Sequence, residues 1–179
     1  NGIGVAGVGW HSSLGNLKTC FAYQIDLLPP LGFYVTVGVC PVSSSAAAIT
    51  HAADNGYHVI NMSYGSDQLD GNGDPIGLPA QPNTETAAID YALTQGVVLV
   101  AAAGNDSNTT RVYPAANDNV IAVGATDHVD NLASFSSFSV PGDHWVSLLA
   151  PGKDILSTHP VADCIFLADL LFFPFDPQT

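Results

Sequence analysis

The side chains in these 179 residues that could do chemistry are dispersed, and their spacing rules out more than it supports. Six histidines, His11, His51, His58, His128, His144 and His159, could act as general bases. None stands at a spacing from serine or cysteine that marks nucleophilic catalysis, and no Gly-x-Ser-x-Gly elbow occurs. Asp67 to Asp74 is rich in oxygen ligands, and its core, Asp70-Gly-Asn-Gly-Asp74, opens like a calcium-binding EF-hand loop. However, Pro75 stands where that loop needs glycine and Gln81 where it needs a closing glutamate, so an acidic surface loop is the better reading. Asn105-Asp106-Ser107, following Gly104, reads on its own as a turn. Sequons at Asn61, Asn105 and Asn108 add little, because Asn61 falls within an apolar run of strand type.

The elements that would position such residues are clearer, because a pattern repeats at an offset of forty. Ala48-Ile49-x-x-Ala52-x-x-x-Gly56 is followed by Ala88-Ile89-x-x-Ala92-x-x-x-Gly96. Both predict helices with one apolar stripe, N-caps at Ser43 to Ser45 and at Asn83 to Thr84, and left-handed C-caps at Gly56 and Gly96. Each helix feeds a short apolar strand, Val59 to Met62 and Val97 to Ala101, and Val120 to Ala125 is a third such run. Alternating strands and helices predict an α/β fold, a doubly wound, mostly parallel sheet with helices on both faces, in which ligands lie beyond the carboxyl ends of the strands. Ser63-Tyr64-Gly65 and Ala103-Gly104-Asn105 are then expected at equivalent strand ends, lining one crevice.

Composition sets the class of partner. Hydrophobic residues make up 47% of the chain, yet no apolar run reaches the ~18 residues needed to cross a bilayer. Three cations against sixteen acids give a net charge of -13, which disfavours nucleic acid and anionic membrane surfaces and draws in cations. Cys20, Cys40 and Cys164 allow at most one internal disulfide and show no Cys-x-x-Cys spacing, leaving the redox state open.

Several ordered blocks together resemble the subtilisin-like serine peptidases, or subtilases. They are Asn1-Gly-Ile-Gly-Val-Ala-Gly-Val8, the segment from Asp54 to Gly65, Val97-Val-Leu-Val-Ala-Ala-Ala-Gly-Asn105, Tyr113-Pro-Ala, Ala133-Ser-Phe-Ser-Ser137 and Ala150-Pro-Gly-Lys-Asp-Ile-Leu-Ser-Thr158. The family's Asp-Thr-Gly, His-Gly-Thr-His and Gly-Thr-Ser-Met-Ala signatures do not occur in these 179 residues. The resemblance therefore implies the substrate cleft of a serine endopeptidase without its triad, with little proteolysis expected from this chain alone. Asn1 already lies in motif-like sequence, so a fragment, or a chain whose upstream signal or prosegment was removed, is expected.

By the same resemblance, Asn105 would donate its amide to the oxyanion, and a neutral donor suits that task because a carboxylate would repel the developing charge. Ser63, Tyr64 and Gly65, with Ala102, Ala103 and Gly104, would bind an extended peptide or protein substrate by strand addition. Asp106 would favour basic side chains. Calcium is the implied cofactor, held by the Asn1 side chain with the Ile3 and Val5 carbonyls, and at a weaker site by carbonyls of Ala115, Asn117 and Val120. The resemblance also implies a secreted or extracellular protein. Residues 1–158 are expected to form the subtilase core, and 159–179 a divergent apolar tail. That apolar tail and an open sheet edge predict a homo-oligomer. The alternative is a non-enzymatic peptide-binding or self-associating module derived from the same fold.

Overall fold

The computed structural model describes residue 9 and residues 11–28, 33–67 and 84–157. The chain divides into two compact units, one of residues 1–41 with 156–179 and the other of residues 42–155. In the first unit, strand β1 (Phe21–Leu28) pairs antiparallel with β2 (Phe33–Val39), Phe21 facing Val39, and the register shifts between Asp26 and Leu28. A disulfide joins Cys20 to Cys40 beside that first pair and closes the open end of the hairpin. This answers the open cysteine question for two of the three residues, Cys164 lying outside the described residues. The Lys18 ammonium stands 5.7 Å from the centroid of the Phe21 ring, within cation–π range.

The second unit holds α1 (Val42–Asp54), β3 (Val59–Met62), β4 (Ser66–Asp67), α2 (Thr84–Thr94), β5 (Val98–Ala102), β6 (Val112–Tyr113), β7 (Ile121–Thr126) and β8 (Leu148–Pro151). A four-stranded parallel sheet runs in the order β3-β5-β7-β8, and β4 pairs antiparallel with β6 in a separate ribbon. The α/β architecture with a parallel sheet is the one the alternating pattern predicts.

Helix stripes and strand alternation meet in one core. Ile49 and Ala53 of α1, and Ala88, Ile89 and Ala92 of α2, cluster with Met62, Leu99, Ala101 and Ala122 from the strands. Both helices therefore cover the same sheet face, and their alanines let them approach closely. Among the described residues no helix covers the opposite face, where Val59 remains 56% and Val98 45% exposed.

Element boundaries follow from where backbone N–H groups are spent. Gly56 (φ 72°) and Gly96 (φ 78°) are the left-handed C-caps, and the N–H groups of Tyr57 and Val97 turn back to the carbonyls of Ala52 and Ala92, both at 3.1 Å. Because Val97 is committed to that cap, β5 starts at Val98 and not at the expected Val97. Val120 donates to the Asn117 carbonyl at 3.3 Å, so β7 likewise starts one residue later than expected. The Ser43 to Ser45 segment does not cap α1, which starts at Val42 and takes these serines into its first turn. For α2, which begins at Thr84, Asn83 lies outside the described residues.

Candidate functional site

Strands β3 and β5 are parallel neighbours, with Met62 beside Ala101, so the segments that leave their carboxyl ends emerge together. Ser63, Tyr64 and Gly65 on one side, and Ala102, Gly104, Asn105 and Asp106 on the other, line a cleft of about 330 Å³ with Val112 between them. Six of the seven cleft positions expected from sequence are thus brought into one lining. Ala103 is the exception: it is fully buried beneath the cleft, its N–H donating to the Val123 carbonyl at 2.9 Å.

Two glycines and one valine explain how the strand ends come so close. A Cβ on Gly65 would lie 2.5 Å from Val112 Cγ1 and 2.9 Å from the Tyr113 carbonyl oxygen, so only glycine lets β6 pass here. Gly104 has φ 104°, and a Cβ there would stand 3.1 Å from the other Val112 methyl and from Ser137 Oγ. The Val112 side chain is therefore wedged between both halves of the cleft.

Asn105 follows on an anchored loop. The Ser137 N–H donates to the Gly104 carbonyl at 3.0 Å, the Asp106 N–H to Ser137 Oγ at 3.4 Å, and the Ser107 N–H to the Phe135 carbonyl at 2.9 Å. The Asn105 side chain is exposed on this fixed backbone. Buried Ser136 braces the same region, accepting from the Ala125 N–H at 2.9 Å and donating to the Ser137 carbonyl at 3.0 Å. Among the described residues, no histidine, lysine or arginine lines the cleft. Ser63 Oγ accepts from Asn61 Nδ2 at 2.9 Å, and Arg111 is tied to Asp143 at 2.6 Å, which holds its guanidinium above the usual arginine range. Among the described residues of the lining, Asp106 carries the charge.

Behind the cleft wall lies a contact the sequence reading missed. The Tyr64 hydroxyl is 2.5 Å from Ser45 Oγ, and Ser45 Oγ–H donates to the Glu85 carboxylate. Glu85 is only 7% exposed. Burial pushes its carboxyl above the usual carboxylate range, against the lowering effect of the Ser45 bond. Burial likewise raises the Tyr64 hydroxyl; the Ser45 bond opposes this, and the nearby Glu85 charge adds to it. The signal was present: Glu85 is the only glutamate among the sixteen acids and heads the apolar stripe 85-88-89-92.

Set beside known proteins, residues 2–166 match the model of the subtilase family. The chain belongs to the subtilases. It is 44% identical over 117 residues to the thermophilic serine proteinase of Bacillus sp. (strain AK1), covering 65% of this chain and 25% of that protein. It is 34% identical over 150 residues to subtilisin BL of Lederbergia lenta, covering 84% of this chain and 49% of that one. The chain thus spans between a quarter and a half of the length of these curated relatives. Among solved structures, the prenylagaramide maturation protease PagA superposes with a TM-score of 0.59 at 31% identity, covering 72% of this chain and 43% of that one. The self-cleaved protease domain of PatA gives 0.56 at 32%, covering 68% and 42%.

In this subtilase the calcium ligands expected at Asn1, Ile3 and Val5 lie outside the described residues. Ala115, Asn117 and Val120 lie on two successive turns, where the Asn117 carbonyl already accepts from Val120 and Asn117 Nδ2 donates to the Pro114 carbonyl at 3.0 Å. Three carbonyls fall short of the six to eight oxygens that calcium takes, and no group of three His, Cys, Asp or Glu side chains stands ready among the described residues. These residues alone do not fit calcium. Among the described residues, no helix is long and apolar enough to cross a membrane.

Proposed function

We propose that this chain forms the substrate cleft of a subtilisin-like serine endopeptidase, with Asn105 as oxyanion donor and Ser63 to Gly65 as the backbone edge that pairs with an extended peptide. One observation carries the reading: in a subtilase, Ser63 to Gly65 and Asn105 line the same cleft at the ends of adjacent parallel strands. A tetrahedral oxyanion is stabilised by neutral donors already fixed in place, and an exposed carboxamide on an anchored loop meets that need. Extended peptides gain affinity through main-chain hydrogen bonds, which the open segment after β3 can supply. Asp106, the one charge among the described residues of the lining, favours basic side chains.

The nucleophile and its base would come from the triad segments, whose signatures these 179 residues do not contain. Left to itself the chain binds peptide and hydrolyses little. The second reading is a peptide-binding module without catalysis, in keeping with triad signatures that do not occur in these 179 residues. Secretion fits both readings, since disulfides such as Cys20–Cys40 persist in oxidising compartments. We assign residues 1–158 to the subtilase core and 159–179 to an apolar tail. Self-association through β3 is in keeping with its terminal place in the described sheet, paired with β5 alone, and a monomer at micromolar concentration by light scattering would oppose it. Two assays test the whole: calorimetric titration with blocked peptides should give saturable binding, and a fluorogenic protease assay should give little turnover. Turnover abolished by a serine-directed inhibitor would overturn the binding-only part, and no binding would overturn the cleft.

A further inference from the structure

We propose that Ser45 and Glu85 are positioning residues for peptide recognition: they draw the Tyr64 hydroxyl into the interior, so that the cleft wall offers the tyrosine ring to an apolar side chain of the bound peptide. The inference rests on the cleft reading above and adds to it the chemistry of one side of the wall. Tyr64 lines the cleft and also packs against the core cluster, so it belongs to both. Its hydroxyl is committed to Ser45, and Ser45 is committed to Glu85. With that hydroxyl occupied inside, the surface left for a ligand is ring carbon, which gains by covering an apolar side chain.

The chain of donors has a direction. An ionised Glu85 accepts from Ser45, whose oxygen then accepts from the Tyr64 hydroxyl, and a bond to an ionised acceptor is about twice as strong as a neutral one. Protonation of Glu85 removes the charge assistance and frees the ring to shift. Glu85 sits in the first turn of α2, where negative charge is favoured, yet its burial works the other way. The titratable groups of the two packed helices besides Glu85 are His51, Asp54, Asp90 and Tyr91, all exposed. Among the described residues, Tyr64 is the titratable group that faces the carboxyl. The grip on an apolar side chain should therefore weaken as the pH falls and Glu85 takes up its proton.

The test uses the full chain and a blocked alanine pentapeptide with one leucine scanned through its positions, measured by calorimetry between pH 4 and 8. Tyr64→Phe and Ser45→Ala should each weaken binding of the leucine peptide by roughly fivefold at neutral pH, the worth of one hydrogen bond. Binding by the unmodified chain should fall with pH, and Glu85→Gln should flatten that fall, a response that loss of fold would not give. The two proteins differ only at the Glu85 side chain, so the difference between their profiles isolates it. Ring proton resonances of Tyr64, assigned by difference with Tyr64→Phe, should titrate in the free chain and stay constant in Glu85→Gln. Wild-type affinity in Tyr64→Phe, or one pH profile shared with Glu85→Gln, would overturn the positioning role while leaving the cleft intact. Failure of the unmodified chain to bind any peptide would remove the cleft reading and this inference together.

Discussion

Ser45 and Glu85 occupy the same position in the two helical repeats, forty residues apart, and the Ser45 hydroxyl donates to the Glu85 carboxylate. Each heads the apolar stripe of its helix, Ser45 before Ile49, Ala52 and Ala53, and Glu85 before Ala88, Ile89 and Ala92. The periodicity that packs α1 on α2 therefore also brings two polar groups face to face in the interior, where each satisfies the other. Tyr64 completes the set from the cleft side.

This placement gives a pH signature to stability. Burial holds the folded Glu85 carboxyl above its unfolded value, so its contribution is fully present below the unfolded pKa and is lost as pH rises through the folded pKa. Glu85→Gln keeps an acceptor without the charge. Its melting temperature relative to the parent should rise between pH 4 and 8, and a constant difference would count against the buried carboxyl.

Asp127 should behave in the opposite sense. Its carboxylate accepts from the Val129 and Asn131 N–H groups, both at 3.0 Å, and the Val129 bond leads the causes that hold it below the usual range. Its contribution is present above the unfolded pKa and is lost as pH falls through the folded one. The stability lead of the parent over Asp127→Ala, read from urea midpoints, should therefore shrink on acidification.

Gly65→Ala puts a methyl 2.9 Å from the Tyr113 carbonyl oxygen, which cannot swing aside as a side chain could. A loss of about 1–3 kcal/mol is expected, as for other overpacked sites. Gly56→Ala meets no atom within 4 Å and suffers only its φ of 72°, a cost of roughly 1–2 kcal/mol. Urea unfolding measures both. Only the Gly65 variant should also weaken peptide binding, because only Gly65 borders the cleft.

Much of this was legible in the sequence because it rests on local rules. Stripes at helical spacing, glycine caps at 56 and 96, and short apolar strands gave α1, α2, β3, β5 and β7 to within a few residues, because periodicity and capping are decided by neighbours along the chain. The hairpin of β1 and β2 was not read, although Pro29-Pro30-Leu31-Gly32 separates two runs rich in β-branched and aromatic residues. Strand β8 was missed because Leu148 to Pro151 acquires its partner from β7, which no local pattern announces. At the cleft, the strand-end segments could be named in advance. The Ser45–Glu85–Tyr64 contact could not, since a polar residue heading an apolar stripe looks like a cap until the facing helix supplies its partner.

Asn105→Ala separates two roles for one residue. The side chain is exposed, so stability should change by no more than about 0.5 kcal/mol. In a subtilase that carries its triad, the same change should lower kcat and leave KM unaltered, the mark of an interaction made only in the transition state. Equal turnover with lower stability would instead make Asn105 a turn residue.

The most direct test follows backbone and side-chain amide resonances of the chain during titration with a blocked, extended peptide. A peptide seated between the two strand ends should shift the Tyr64 and Gly65 backbone amides and the Asn105 carboxamide together, along one binding curve. Shifts confined to other surfaces, or none at saturating peptide, would contradict the cleft.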